Sequence, residues 1–282
     1  MKTTLLYEKY TASINHLGAE LTSFLKGEIN YIWTIDERYW NKTSPILFPI
    51  VGSLKNNSYN LNKEAYTLQR HGFARNFEFK VLKKTENTVV FSMVQNTETF
   101  QVYPFEFELQ LTYVLLKNKL TISYTVVNNS NLKMPFNIGA HPAFSIPKNF
   151  ENYSLSFNNE EQLVTHHLEH ELFNGTTSNI YIEQGKLPLT YALFEKDALV
   201  FKQLKSNEIS ILKKDQPHVK VNFEGFPFLG VWTKKNAAFL CIEPWLGYAD
   251  SLTSTGNIYE KEAIQILNSK ESFTCSFSIE IY

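Results

Sequence analysis

Cysteine is nearly absent: 282 residues include only Cys241 and Cys275. Two lone thiols build neither a disulfide framework nor a zinc site, and each stands in an apolar, strand-like stretch that suits a reduced packing residue. An excess of either charge is missing as well. The 27 Lys and Arg balance 28 Asp and Glu, for a formal net charge of −1. With no basic surplus to neutralise a phosphate backbone, nucleic acid is not an expected partner. Nor is a membrane, because the longest strongly apolar stretch, Ala237 to Ile242, is far too short to cross a bilayer. Residues 1–15 carry Lys2, Glu8 and Lys9 and no apolar h-region, so no secretory signal is expected and the reading is cytoplasmic. No Pro/Gly/Ser-rich linker, composition shift or fixed-period repeat divides the chain, which reads as a single domain over 1–282.

What is present is period-two alternation. In Phe105 to Leu115 the apolar set is Phe105, Phe107, Leu109, Leu111, Tyr113 and Leu115, with Glu106, Glu108, Gln110 and Thr112 on the opposite face. Phe273, Cys275, Phe277, Ile279 and Ile281 alternate in the same way, as do Ile122, Tyr124 and Val126. Such patterns specify half-buried antiparallel strands. Thr88 to Val94, Glu208 to Leu212 and Val219 to Phe223 are shorter strand candidates, and Val164 to Phe173 could hold a short helix. Helices spaced between strands, as a parallel sheet requires, are missing. The expected fold class is all-β, a large antiparallel β-sandwich.

The phosphate-binding glycine loops and the G-x-S-x-G nucleophile elbow are absent. One catalytic pattern does occur, since His166-His167-Leu168-Glu169-His170 spells H-x-x-E-H. That metal chemistry needs a long helix to bring both histidines onto one ion, and polar turn residues bound this segment on both sides. A solvated turn or short helix is the expectation, with no metal site and no cofactor.

Three islands place polar groups among glycine, proline and aromatics: Arg70-His71-Gly72-Phe73-Ala74-Arg75, Asn137 to Phe144, and Cys241 to Tyr248. His141 and Glu243 each immediately precede a proline, whose ring drives the preceding residue into extended backbone. An imidazole and a carboxylate on stiff backbone can supply an acid and a base near neutral pH. Phe73, Phe144, Trp232 and Trp245 offer rings able to stack on the C–H faces of a sugar, although most of the 22 Phe, 15 Tyr and 4 Trp must be core.

At these residues the sequence resembles the aldose 1-epimerases, or galactose mutarotases, and among them the LacX-like branch. The resemblance runs through Phe48-Pro49-Ile50-Val51-Gly52, His71-Gly72-Phe73-Ala74-Arg75, Gly139-Ala140-His141-Pro142-Ala143-Phe144 and Glu243-Pro244-Trp245. It implies a β-sandwich that interconverts the α and β anomers of a free aldose such as galactose or glucose without a cofactor. It further implies Glu243 as base, His141 as acid, and His71 as the second catalytic histidine, orienting the sugar near its ring oxygen. Asp197 and Arg75 are the implied holders of sugar hydroxyls, with Phe73 and Trp245 beside them.

One position departs from the family pattern. Ser53 stands where many relatives carry arginine after Phe-Pro-Ile-Val-Gly, which bears on sugar preference and leaves the acid–base pair untouched. Two alternatives accompany the leading reading. One is a sugar-binding or sensing module with weak turnover. The other is a hexose-6-phosphate 1-epimerase in which Arg70 and Arg75 clamp the phosphate. A small-molecule sugar is the expected partner, and a monomer or homodimer the expected assembly.

Overall fold

The computed structural model describes residues 1–282, and its regular structure is almost wholly antiparallel strands. Nine of them form the larger sheet, in the order Lys186–Pro188, Tyr153–Phe157, Glu208–Lys213, Gln216–Asn222, Ser272–Ile281, Lys119–Asn128, Phe107–Leu116, Thr88–Val94 and Lys80–Lys84. The alternation fixes the register. Leu109, Leu111 and Tyr113 lie opposite Val126, Tyr124 and Ile122, and Tyr124 lies opposite Cys275. These six residues and Cys275 are all buried on one face. A one-residue slip would turn that whole set towards solvent. A four-stranded sheet over residues 2–30 and several two-stranded ribbons complete the architecture.

A second, smaller sheet positions the site. It runs Leu199–Phe201, Phe228–Trp232, Phe239–Leu246, Ile138–Ala140 and Ile46–Leu47, with Ala143–Ser145 also paired to Phe239–Leu246. Every residue of Phe239–Leu246 is buried, so its alternation separates two covered faces. Leu240, Ile242 and Leu246 join Leu229, Val231, Ile138 and Phe201 in the main core against the nine-stranded sheet. Each such aliphatic side chain contributes about 1.5–3 kcal/mol by leaving water. Phe239 and Cys241, and Trp245, Val200 and Leu47, belong to separate clusters on the opposite face. Glu243 follows the odd-numbered set.

The expected helix near Val164–Phe173 does not form. The segment is a β-hairpin, Leu163–Glu169 paired with Leu172–Ile180. Its two-residue turn is His170-Glu171, both at positive φ, the backbone that matches strand twist in a tight hairpin. The turn carries none of the Asn-Gly or Asp-Gly chemistry that normally reveals it. Strand geometry also disposes of the H-x-x-E-H reading: at the ~3.3 Å rise per strand residue, four residues separate His166 from His170 by about 13 Å. His167 instead pairs through Nε2 with Ser178 Oγ at 2.7 Å, and the His166 ring meets Phe173 edge-on.

Candidate active site

His141 and Glu243 come together through the pairing of two strands. Gly139 pairs with Trp245 and Ala143 pairs with Cys241. That single register, interrupted at His141-Pro142, sets His141 directly across from Glu243. The two prolines, Pro142 and Pro244, remove backbone donors at the interruption, and only the Ile242 N–H reaches across it, to Pro142 O at 3.2 Å. His141 Nε2 lies 3.2 Å from Glu243 Oε2, with both side chains almost wholly buried.

A cavity of about 230 Å³ opens above this pair, room for one monosaccharide-sized ligand. Its floor is the face of the smaller sheet that carries the odd-numbered residues of Phe239–Leu246, where Val200, Trp232, Glu243 and Trp245 line it. Glycines on both neighbouring strands let the Trp245 ring lie on the sheet. A Cβ at Gly139 would stand 2.7 Å from Trp245 Cδ1, and one at Gly230 would stand 2.6 Å from its Cη2. His141 is clamped by rings, stacked on Trp40 at 4.9 Å between centroids and edge-on to Trp232 at 5.8 Å. Packing of this kind fixes the orientation of an acid–base group.

His71 forms the wall. Its backbone takes the left-handed region at φ 67°, a conformation that costs a non-glycine residue about 1–3 kcal/mol and persists only when surroundings impose it. Here Gly52 imposes it: His71 N–H donates to Gly52 O at 2.9 Å, and Gly52 N–H donates to His71 Nδ1 at 3.0 Å. On its other side Arg70 Nε–H donates to His71 Nε2 at 3.1 Å. A neutral imidazole accepts at only one nitrogen, so the tautomer of His71 decides which of these two N–H groups it accepts from.

Comparison with known proteins decides the family. The aldose 1-epimerase family model matches residues 2–280. The chain belongs to the aldose 1-epimerase family. It is 36% identical over 276 residues to the plasmid-encoded protein LacX of Lactococcus lactis subsp. lactis, covering 92% of each chain. It also superposes on a galactose mutarotase related enzyme from Lactobacillus acidophilus with a TM-score of 0.95 and 31% identity, covering 100% of this chain and 97% of the other. A galactose mutarotase-like protein from Lactobacillus casei gives a TM-score of 0.93 at 29% identity with full coverage of both. Membership supports a general epimerase or mutarotase role towards a small-molecule sugar.

In this family member the site electrostatics are dominated by burial. The Glu243 carboxyl is pushed well above its ordinary range by desolvation, with the Arg70 charge opposing. Desolvation and then Arg70 push His141 down to about 3. His71 is driven well below its usual value by burial, Arg70 and His141. Among the buried side-chain polar atoms left without a hydrogen-bond partner are Glu243 Oε2, His141 Nδ1 and Trp245 Nε1. All three belong to residues lining this cavity.

Five of the seven residues named from sequence, Glu243, His141, His71, Arg75 and Trp245, line the cavity. Phe73 does not. Its ring is buried in the main core, edge-on to Phe48 and packed on Phe107, so it holds the His71 segment down and presents no face to a ligand. Asp197 lies in an adjoining depression, where its Oδ1 accepts from Ala198 N–H. Its charge is near enough to raise Glu243, but the carboxylate does not line the cavity. Phe144, also considered as a stacking ring, is fully buried core.

Two lining residues have no visible sequence signal. Trp40 follows the charged run Asp36-Glu37-Arg38, and Glu171 sits in the unannounced hairpin turn. The donor atoms of His141, Cys241 and Glu243 lie within 4.8 Å of one another, a spacing open to a metal ion. A thiol ligates as its thiolate, and burial with the Glu243 charge holds the Cys241 thiol well above its usual range. No helix is long and apolar enough to cross a membrane.

Proposed function

We propose that the chain interconverts the α and β anomers of a free aldohexose by general acid–base ring opening and closure. The observation that carries this reading is the buried His141–Glu243 pair at 3.2 Å. In a cyclic aldose the anomeric hydroxyl O1 and the ring oxygen O5 are bonded to the same carbon. A base for one and an acid for the other must therefore be near neighbours, as these two side chains are.

The Glu243 carboxylate takes the proton of O1–H, the C1=O double bond forms, the C1–O5 bond breaks, and O5 takes a proton from His141. Half a turn about C1–C2 presents the other face of the carbonyl. Closure then returns both protons by the reverse path, leaving the protein unchanged and no electrons transferred. His71, whose ring centroid lies 5.9 Å from that of His141, orients the sugar near the oxygen that gains charge as the ring opens.

Burial makes the ionised pair the less favoured and more reactive form. Opening converts an ionised pair, carboxylate with imidazolium, into a neutral pair. The directions of both shifts, Glu243 upward and His141 downward, favour the neutral pair in this cavity. The same shifts make Glu243 a stronger base than a surface carboxylate and protonated His141 a readier acid. Arg70, which lowers Glu243, opposes that preference so that the carboxylate form remains accessible.

The test is anomer exchange by proton NMR on galactose, glucose and their 6-phosphates. Saturating one anomeric proton of a free hexose should transfer to the other only with enzyme present. Binding of free hexose without exchange would support a sensing module instead. Exchange confined to the phosphorylated sugars would support the hexose-6-phosphate epimerase.

A further inference from the structure

The cavity mouth carries an ion pair whose role the acid–base chemistry leaves open. Glu171, at the hairpin turn, receives Arg70 Nη1 on Oε1 at 2.8 Å and Ser53 Oγ on Oε2 at 2.6 Å. Arg70 and Glu171 are 42% and 49% exposed, and a pair that wet adds only about 0–1 kcal/mol to stability. The hairpin has other anchors: Phe173 N–H donates to Asp250 O at 2.9 Å, and Val200 N–H to Thr165 Oγ1 at 3.1 Å. Holding the hairpin down is therefore not what Glu171 contributes.

Its contribution lies in the charge balance of the cavity. Two guanidinium groups, Arg70 and Arg75, line it, and the only carboxylates there are Glu171 and Glu243. Arg75 donates through Nη2 to the Arg70 carbonyl at 2.7 Å and is in none of the ion pairs. Glu243, buried at the floor, faces His141. Hydrogen bonding from Ser53 and the Arg70 charge lower Glu171, so it is the ionised partner at neutral pH. It accepts from the Arg70 Nη1 that a phosphate or carboxylate on a ligand would otherwise take, since such groups bind Arg through charge-assisted N–H contacts.

We infer that Glu171 sets the preference of this site for neutral over anionic sugars by occupying Arg70 and cancelling one of the two positive charges at the mouth. The inference rests on the reading of the cavity as a sugar site. Removing the carboxylate should leave a doubly cationic mouth with Arg70 Nη1 free to meet an anion. Ser53 is the helper, because its hydroxyl holds the second carboxylate oxygen in place.

The test compares wild type with Glu171→Gln and Ser53→Ala, using D-glucose, D-glucose 6-phosphate and inorganic phosphate as probes. Trp40, Trp232 and Trp245 line the cavity, so tryptophan fluorescence reads binding whether or not turnover occurs. Glu171→Gln should shift the ratio of glucose 6-phosphate to glucose affinity at least about tenfold towards the phosphate, the scale of one charged hydrogen-bonded contact. Inorganic phosphate should tighten in parallel, and Ser53→Ala should move the ratio the same way by less. A Glu171→Gln ratio within about twofold of wild type, with the fold intact by circular dichroism, overturns the inference. A shifted ratio in a protein that fails to exchange anomers would contradict the epimerase reading alone. Exchange with an unshifted ratio would contradict this inference alone.

Discussion

The two faces of the smaller sheet share strands and hydrogen bonds, yet they carry opposite chemistry. One face presents Leu240, Ile242, Leu229 and Val231 to the main core. The other, one residue out of step, presents Glu243, Trp245 and Trp232 to the cavity. On the core face burial stabilises what it covers. On the cavity face it holds a carboxyl and two imidazoles away from their ordinary pKa values and leaves polar atoms unpartnered. Alternation within one strand thus separates residues that stabilise the fold from residues that its stability sustains under strain.

Substitution at neighbouring positions can break this division. The largest expected effect is on rate from the cavity face. His141→Asn should lower kcat/KM by about 10²–10⁴-fold with an unchanged denaturation midpoint or a higher one; a loss below tenfold would remove His141 from the acid role. Next is the core face, one residue before Glu243. Ile242→Ala should cost about 2–5 kcal/mol in a denaturant titration, while the folded fraction retains a rate within a few-fold of wild type. A rate collapse in folded Ile242→Ala protein would show that the faces are not separable.

The pH dependence sharpens the same contrast. Burial lowers His141 to about 3 and raises Glu243, so the pair holds a single proton between those two limits. It loses that proton as pH rises through the elevated Glu243 value and gains a second only as pH falls towards about 3. A kcat/KM profile should therefore pass without an acid loss through 6.5, the ordinary histidine value. Its alkaline limb should lie above the ordinary carboxylate value of 4.5. A rate that halves near 6.5 on acidification would contradict the buried-pair description.

The smallest effect is on stability. Because the folded state raises Glu243, wild type loses stability as pH climbs from the unfolded-chain value of 4.5 through the folded one. Glu243→Gln carries no such cost. Its melting temperature should exceed that of wild type by a few degrees near neutrality, with about 2–4 °C for each kcal/mol, and the gap should close near 4.5. Differential scanning calorimetry at the two pH values measures it, and a variant less stable than wild type at both would count against the strained-site account.

Much of this was legible in the sequence for physical reasons. Phe107–Leu116 buries every second residue and leaves the others partly exposed, so it displays its period openly, and Ser272–Ile281 follows the same period less strictly. His141 and Glu243 stand out in the sequence through the prolines that follow them, and the structure sets their side chains 3.2 Å apart. Phe73 was misplaced because a ring beside a histidine and a glycine reads alike whether it faces a ligand or, as here, the core. The hairpin was missed because His170 and Glu171 adopt positive φ without glycine or asparagine, a conformation imposed by tertiary contacts. Glu171 reaches Arg70 from 101 positions along the chain, and no local pattern encodes that meeting.

Polarimetry on freshly dissolved α-D-galactose and α-D-glucose, with wild type beside Glu243→Gln, addresses the central claim most directly. The account predicts that wild type accelerates the approach to anomeric equilibrium and that the variant loses about 10²–10⁴-fold of that acceleration while remaining folded. A wild type without effect on either sugar, or a folded Glu243→Gln as fast as wild type, would contradict it.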